Sequence, residues 1–428
     1  MINRIILTFF SRFLTAILGL FIAVLVSNYL GAEGRGMQAL FLANVTFVVH
    51  VLGILGSESI SILHAKTRRY DYLWISYLWA LLVFVLASCV IVLYFQWVPN
   101  IWHILMVGLL VSLTASNMSI CIAAERTHLY NLLQLLVPVI TVAYVFVRLW
   151  AYGSITFETY LSSLYVAYGI VFLLSFLIFN FRALFLFHFF GRRFVRSCRY
   201  MFQYGFHNQL AVVIQLISYR GCFYLIGISY GDSAIGVYAN SVSITEAVWI
   251  VSRSIGFVIF SRFINQKQPK AHRKVLQRAL TINVFVLLVC FFALAAIPGS
   301  LYAFVFGSEF FQLKHLILSL LPSSLIYGQS LLIFNYFSGT RKHYVNTISN
   351  GMGALVLMLS GIVLIPKFGN YGAIIATTIG YSTLFVLQNF FLKKYLDISL
   401  FRNSFSLKQL LLFYRYFRIV LSNWLVQR

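Results

Sequence analysis

Residues 73–95 read LWISYLWALLVFVLASCVIVLYF, a run of 23 residues without one charged side chain. A helix needs about 20 mostly apolar residues to cross a bilayer. Eleven more stretches of this kind occur in the chain, so the sequence predicts an all-α polytopic membrane protein with twelve transmembrane helices. The twelve stretches lie near residues 5–29, 37–63, 73–95, 101–124, 129–150, 158–181, 203–229, 236–261, 277–306, 314–338, 343–365 and 371–392.

The composition excludes a soluble domain of this length. Hydrophobic residues make up 61% of the 428 residues, charged residues make up 10%, and the mean hydropathy is +0.89. Such a chain could not hide its apolar surface from water. The net charge of +23 comes from small groups of basic residues at the predicted membrane edges, where they meet anionic headgroups. We therefore expect membrane lipids as partners and no nucleic acid.

The basic residues also predict the orientation of the chain. Of the 32 lysines and arginines, 25 fall in one set of alternate connections or in the terminal segments, and 4 fall in the other set of connections. Positively charged connections stay in the cytoplasm, so both termini are predicted to be cytoplasmic. The remaining three basic residues lie inside predicted helices: Arg12, Arg220 and Arg253.

The connections predicted to face outward are too short to form a catalytic domain. Around Pro99, Asp232 and Glu309 they offer about 6–12 residues each. The sequence contains no phosphate-binding glycine loop after a strand, no metal-ligand spacing and no nucleophilic triad. We therefore expect neither an enzyme nor a bound cofactor or metal, apart from a coupling ion.

A short motif repeats at an offset of 200 residues. The turn after the first helix reads GAEGRGMQA at 31–39, and the turn after the seventh reads GDSAIGVYA at 231–239. Because the offset spans six helices, the two halves are predicted to be parallel repeats, an arrangement found in alternating-access transporters. The predicted division is an N-terminal lobe at 1–181, a basic cytoplasmic linker at 182–202, a C-terminal lobe at 203–396 and a cytoplasmic amphipathic tail at 397–428. The tail either lies in the membrane interface or is disordered.

Three parts of the chain resemble bacterial polysaccharide repeat-unit flippases of the Wzx type. The segment 218–263, SYRGCFYLIGISYGDSAIGVYANSVSITEAVWIVSRSIGFVIFSRF, resembles their helices 7 and 8. The segment 297–396, from the end of the predicted ninth helix through the twelfth, also resembles this family. The turn at Tyr29–Gly36 is similar to their first outer loop. Within 297–396 the residues that carry the resemblance are Phe306, Gly307, Phe310, Gly339, Arg341, Lys342, Ile365, Pro366, Gly369, Gly372 and Ala373.

The resemblance implies the fold of the multidrug/oligosaccharidyl-lipid/polysaccharide (MOP) exporter superfamily, in which two six-helix lobes form a V around a central cavity. It implies transfer of an undecaprenyl-diphosphate-linked oligosaccharide repeat unit to the outer leaflet of the bacterial inner membrane, as in O-antigen or other lipopolysaccharide biosynthesis. Partners would be the lipid-linked glycan and, in the same pathway, a polysaccharide polymerase and a chain-length regulator.

Charges inside the predicted helices are the candidate site residues. A charge near the bilayer centre costs about 2.5–3.5 kcal/mol, so each invites a partner or a water-filled cavity. Counting about 1.5 Å per residue places Arg12, Arg253 and Glu58 at a similar depth on the cytoplasmic side. We expect Arg12 and Arg253 to bind the diphosphate, although both are also close enough to the headgroups to snorkel. Arg220 either contacts the substrate or pairs with Glu246.

Three further expectations concern sugar binding, ion coupling and rival functions. Trp249 could stack on a sugar, and Glu58 or His50 could couple transport to H⁺ or Na⁺; for His50 the alternative is a hydrogen-bonded packing residue. A drug or cation exporter of the same fold is a rival function, but it would need unpaired carboxylates. A membrane glycan polymerase is a second rival, disfavoured by the short outer connections, and a scaffold in a polysaccharide assembly complex is a third.

Overall fold

The computed structural model describes residues 2–67, 71–94, 100–124, 126–180, 192–265 and 269–396, and this part of the chain is almost entirely helical. The predicted tail at 397–428 and residues 182–191 of the predicted linker lie outside it. The helices are α1 (Ile2–Leu52), α2 (Ser57–Thr67), α3 (Asp71–Tyr94), α4 (Ile101–Ala123), α5 (Thr127–Tyr152), α6 (Phe157–Asn180), α7 (Arg192–Asn265), α8 (Pro269–Ala296), α9 (Gly299–Phe306), α10 (Leu313–Gly339) and α11 (His343–Leu396), with a 3₁₀ turn at Ser308–Phe310.

Within the described ranges, nine helices are long and apolar enough to cross a membrane. Three of them are unusually long, with candidate spans of 43, 67 and 54 residues in α1, α7 and α11. Each of these three contains a glycine with non-helical backbone angles: Gly31, Gly231 or Gly369. The prediction of a multi-pass, all-helical membrane protein is therefore confirmed.

The chain divides into two compact units. The first comprises Met1–Ala239 with Phe304–Phe310, and the second comprises Asn240–Ala303 with Phe311–Arg428. In the first unit α4 is the central helix, because α1, α2, α3, α5 and α6 all pack on it. Its neighbours meet it through small residues: a Cβ at Gly108 would lie 2.7 Å from Cγ1 of Val48. Small side chains of this kind let membrane helices approach closely.

Hydrogen bonds between buried polar side chains join three helices of the first unit. The hydroxyls of Ser76 on α3 and Ser116 on α4 are 2.8 Å apart. Asn117 donates to Ser175 on α6 at 3.0 Å and accepts a hydrogen bond from Tyr77. Such bonds between membrane helices are worth about 0.6 kcal/mol on average. They hold α3, α4 and α6 in a fixed arrangement.

The second unit is built on α10, which packs against α11 and α8. Asn283 on α8 accepts a hydrogen bond from Ser252 on α7 at 2.9 Å and donates to the carbonyl of Gly328 on α10 at 3.1 Å. The apolar core includes Leu276, Leu332, Phe337 and Leu392. The side chain of Asn283 is fully buried, so its amide is satisfied where water cannot reach it.

Two predicted helices are interrupted in the structure. The stretch 37–63 is broken by a turn at Gly53–Gly56, between α1 and α2. The stretch 277–306 is divided between α8 and α9 just before Gly299. Pro298 explains the second break, because proline has no N–H to donate and fits at a helix start. Glycine explains the first, since it costs about 1 kcal/mol in a helix interior relative to alanine.

Candidate functional site

Arg12 lies on α1 in the first unit, and its side chain is exposed. The adjacent Ser11 donates a hydrogen bond to the carbonyl of Asn131 on α5 at 3.2 Å, which fixes this part of α1 against α5. The guanidinium lies close enough to Tyr130 for an electrostatic interaction. An exposed charge within an apolar run faces either lipid or water, and water is the less costly surrounding.

Arg253 lies on α7 in the second unit, and its side chain is also exposed. On the adjacent side of this part of α7, Ser252, Gly256 and Ile259 are buried. Packing therefore turns Arg253 away from the core of its own unit. The two arginines predicted to bind the diphosphate share this property of exposure within an apolar helix.

Trp249, one turn before Arg253, is only 3% exposed. Its indole N–H donates to the carbonyl of Ser324 at 3.0 Å. Its ring packs on Tyr327, with centroids 4.5 Å apart, and on Tyr381, with centroids 6.1 Å apart. In this structure Trp249 packs inside the second unit, and the stacking on sugar stays a prediction.

Arg220 lies on α7 in the first unit, half-buried, with its guanidinium 5.2 Å from the ring centroid of Phe223. It interacts electrostatically with Arg35, which is itself only 6% exposed and donates to Gln38 Oε1 at 3.0 Å. Glu246 belongs to the second unit and is half-buried. Its predicted pairing with Arg220 stays a prediction. The burial of Arg35 gave no signal in the sequence, where it reads as an ordinary loop arginine.

The predicted coupling residues lie near the break between α1 and α2. His50 Nδ1 is 2.7 Å from Gln209 Oε1 on α7, and Gln209 Nε2 donates to the carbonyl of Gly53 at 3.3 Å. Glu58 lies in the first turn of α2, and its side chain is outside the described part of the structure. Gln209 was missed by sequence reasoning, because a single glutamine in an apolar helix does not reveal its partner.

The repeated glycine motif forms two turns that contact each other, which we call the paired turns: Gly31–Gly36 and Gly231–Gly236. Gly31 and Gly231 have nearly the same conformation, with φ of 69° and 77°. A Cβ at Gly36 would overlap the carbonyl oxygen of Asp232, and a Cβ at Gly236 would overlap that of Ala32. The two contacts are reciprocal at the 200-residue offset, so the repeat seen in the sequence is a repeat in structure.

Glu309 fastens a third segment to the first of the paired turns. One of its carboxylate oxygens accepts a hydrogen bond from the backbone N–H of Ala32 at 2.6 Å. Nearby, Asn28 Nδ2 donates to the carbonyl of Val305 at 2.5 Å. The 3₁₀ turn at Ser308–Phe310 is thereby held on α1. Sequence reasoning placed Glu309 in a short connection and missed this role, because its partner is a backbone group 277 residues away.

We expect Glu309→Ala to loosen this attachment. The variant leaves the Ala32 N–H without its carboxylate, and a hydrogen bond to a charged group contributes about 1.5–3 kcal/mol. Glu309→Gln keeps an acceptor but loses the charge, so its effect is expected to be smaller. Hydrogen exchange at the Ala32 amide measures the change. Equal exchange in the wild type and both variants would contradict the expectation.

No protein-family model matches this chain. A probable low-salt glycan biosynthesis flippase, Agl15 of Haloferax volcanii, is 20% identical over 212 residues, which is 47% of this chain and 44% of that protein. The chain thus aligns with less than half the length of this curated relative.

Similarity to solved structures extends over nearly the whole chain. The lipid II flippase MurJ, in an inward closed conformation, has a TM-score of 0.71 at 15% identity, covering 96% of this chain and 93% of that one. An inward-facing multidrug resistance MATE transporter of the MOP superfamily has a TM-score of 0.68 at 11% identity, covering 90% and 94%. The chain has the MurJ/MATE fold, so the resemblance to flippases and to the MOP superfamily predicted from the sequence is confirmed.

Proposed function

We propose that this chain is a flippase that moves an undecaprenyl-diphosphate-linked oligosaccharide repeat unit from the cytoplasmic to the outer leaflet of the bacterial inner membrane. The observation that carries the proposal is the MurJ-like fold over 96% of the chain, combined with sequence similarity to a glycan flippase. The exposed arginines in apolar helices add a means of recognising an anionic lipid carrier.

Twelve transmembrane helices are part of the proposal. The 43-residue candidate span in α1 would extend about 65 Å as one helix, about twice the thickness of the hydrocarbon core. Dividing α1, α7 and α11 at Gly31, Gly231 and Gly369 turns each into two spans. With cytoplasmic termini, as the basic residues predict, the paired turns then lie on the outer side.

Arg12 and Arg253 are proposed to bind the diphosphate. A guanidinium offers five N–H donors in a planar fork that matches phosphate oxygens, and it stays charged at any cellular pH. Each arginine replaces part of the water and counterions that the diphosphate loses on leaving the cytoplasmic surface. The acyl tail remains in lipid, and alternating access then presents the headgroup to the outer leaflet.

Transport, and no bond cleavage, is the proposed activity. The polymerase and the chain-length regulator of the same glycan pathway are proposed partners, since they would use the repeat unit on the outer side. Arg220, close to Arg35 in the first unit, is proposed to contact the diphosphate during release. Its alternative role as a static partner of Glu246 is distinguished by substitution of Glu246, which would affect transport only if the two side chains pair.

Deletion of the chain followed by lipid analysis tests the proposal. We expect a prenyl-diphosphate-linked repeat unit to accumulate in the inner leaflet, because synthesis continues while transfer stops. Re-expression of the wild type should clear the lipid. Repeat units reaching the outer surface at the normal rate would contradict the proposal, and loss of elongation alone would indicate a polymerase.

A drug or cation exporter is the second candidate, favoured by the likeness to MATE transporters. The charge of the exposed arginines opposes it, because a positive side chain repels a cationic drug. Growth of the deletion strain on cationic drugs separates the two functions. If the chain is a flippase, we expect the deletion strain to keep the drug sensitivity of the wild type. If it is an exporter, we expect the deletion strain to become more sensitive without accumulating the lipid-linked repeat unit. A scaffold would tolerate alanine at both arginines.

A further inference from the structure

The break between α1 and α2 is a discontinuous helix inside an apolar segment. The chain turns at residues 53–55, and backbone bonds from Gly53 to Val49 and from Gly56 to Gly53, both 2.8 Å, bridge the interruption. The repeat-related part of α7, 200 residues later, is continuous helix at 250–257. Interrupted helices in transporters commonly form the sites of coupling ions. The interruption is thus present in one repeat and absent from the other.

One face of α7 is fitted to this break. Met201, Gly205 and Gln209 are spaced by four residues and so lie on one face. A Cβ at Gly205 would overlap the carbonyl oxygen of Ile54, and Ser59 Oγ donates to the carbonyl of Met201 at 2.9 Å. Gln209 is 6% exposed and bonds His50 just before the break and the carbonyl of Gly53 where the break begins. These contacts fix the geometry of the break against α7.

The hydrogen bonds of Gln209 show which ring nitrogen of His50 carries the hydrogen. Because Gln209 Nε2 donates to the carbonyl of Gly53, its Oε1 is the atom that faces His50. An amide oxygen only accepts, so Nδ1 of His50 must carry the hydrogen. In the neutral ring, Nε2 is then the basic atom. Among the described side chains, Nε2 has no hydrogen-bond partner, and the half-buried ring can take up a proton there.

We propose that His50, held by Gln209 at the break, is the proton-binding site that couples proton movement to transport. The proposal rests on the proposed function. Histidine is the side chain whose charge changes near neutral pH. Proton uptake at Nε2 makes the ring cationic, which strengthens the bond from Nδ1 to Gln209 and so ties the end of α1 to α7. Loss of the proton weakens this attachment and frees the break to move.

Other titratable groups lie on the elements packed around the break. Glu58 and His64 are on α2, and His207 is on α7, two residues before Gln209. The side chain of His64 is buried, and those of Glu58 and His207 lie outside the described part of the structure.

The test uses the full-length protein in vesicles of phosphatidylethanolamine and phosphatidylglycerol. The substrate probe is a fluorescent prenyl-diphosphate disaccharide whose leaflet is read by chemical quenching, and a trapped pH dye reports proton movement. We expect the wild type to move protons together with the probe. His50→Gln retains an N–H donor for Gln209 but cannot bind a proton, so probe exchange should persist while proton movement falls to that of protein-free vesicles.

Two further variants make the outcome specific. Gln209→Leu removes the acceptor that stabilises the charged ring, so the pH profile of transport should shift to lower pH, which a purely structural role would not produce. His103→Gln is the matched control. His103 lies on α4, and its Nδ1 is 2.9 Å from the hydroxyl of Tyr165 on α6, so it takes no part in the contacts of the break. It should couple like the wild type. Proton movement that persists in His50→Gln overturns the coupling site alone, whereas a wild type that cannot move the probe overturns the proposed function.

Discussion

Alanine at Gly36 is expected to push the paired turns apart and to lower the stability of the first unit. The added Cβ would occupy the position of the Asp232 carbonyl oxygen, which is backbone and cannot rotate away. Overpacking of this kind typically costs about 1–3 kcal/mol, and a backbone obstacle places this site at the upper end. Thermal unfolding of the purified protein, followed by the loss of its monodisperse form, measures the effect.

The repeat offers a second, matched variant for this prediction. Gly236→Ala meets the carbonyl oxygen of Ala32, so it should destabilise by a similar amount. The double variant should cost less than the sum, because the first substitution already separates the turns. Gly169→Ala is the control, since a Cβ there meets no atom within 4 Å. If Gly36→Ala and Gly169→Ala unfold at the same temperature, the contact between the turns is not the source of stability.

Arg12→Ala and Arg253→Ala are each expected to slow movement of the lipid-linked probe by about 10- to 150-fold. Each loses charge-assisted hydrogen bonds to the diphosphate, worth about 1.5–3 kcal/mol, and about 1.4 kcal/mol corresponds to a factor of ten in rate. Lysine at either position should restore part of the rate, because it keeps the charge without the planar fork. The vesicle assay described above gives the rates.

Arg148→Ala is the control for the arginine variants. Its guanidinium lies 4.4 Å from the ring centroid of Tyr152 at the end of α5, so it already has a contact that involves no phosphate. Its removal should leave transport unchanged. Should alanine and lysine at Arg12 behave alike, with wild-type transport in both, the electrostatic part of the mechanism is wrong.

The sequence was enough to assign most candidate site residues to helices, but it did not show which other residues they contact. Arg12 and Arg253 were found because a charge in an apolar run stands out in any window of the sequence. His50 was found as a polar, titratable side chain in an apolar helix, yet its partner Gln209 lies 159 residues away and carries no charge. Trp249 resembled a sugar-stacking residue, and only its packing on Tyr327 and Tyr381 shows that its ring is buried within the second unit.

The sequence alone determined the class of protein, its helical segments and its internal repeat, because hydropathy is a property of about 20 neighbouring residues and the lipid solvent imposes it directly. The matching glycines at 31 and 231 could also be recognised from the sequence, because the motif that contains them is only nine residues long. The tertiary structure decided the interruption at Gly53–Gly56, the attachment of Glu309 to Ala32 and the reciprocal contact of the paired turns. These features depend on which backbone carbonyl and N–H groups meet after folding. Because nearly every residue carries the same two groups, the sequence does not reveal which of them will be in contact.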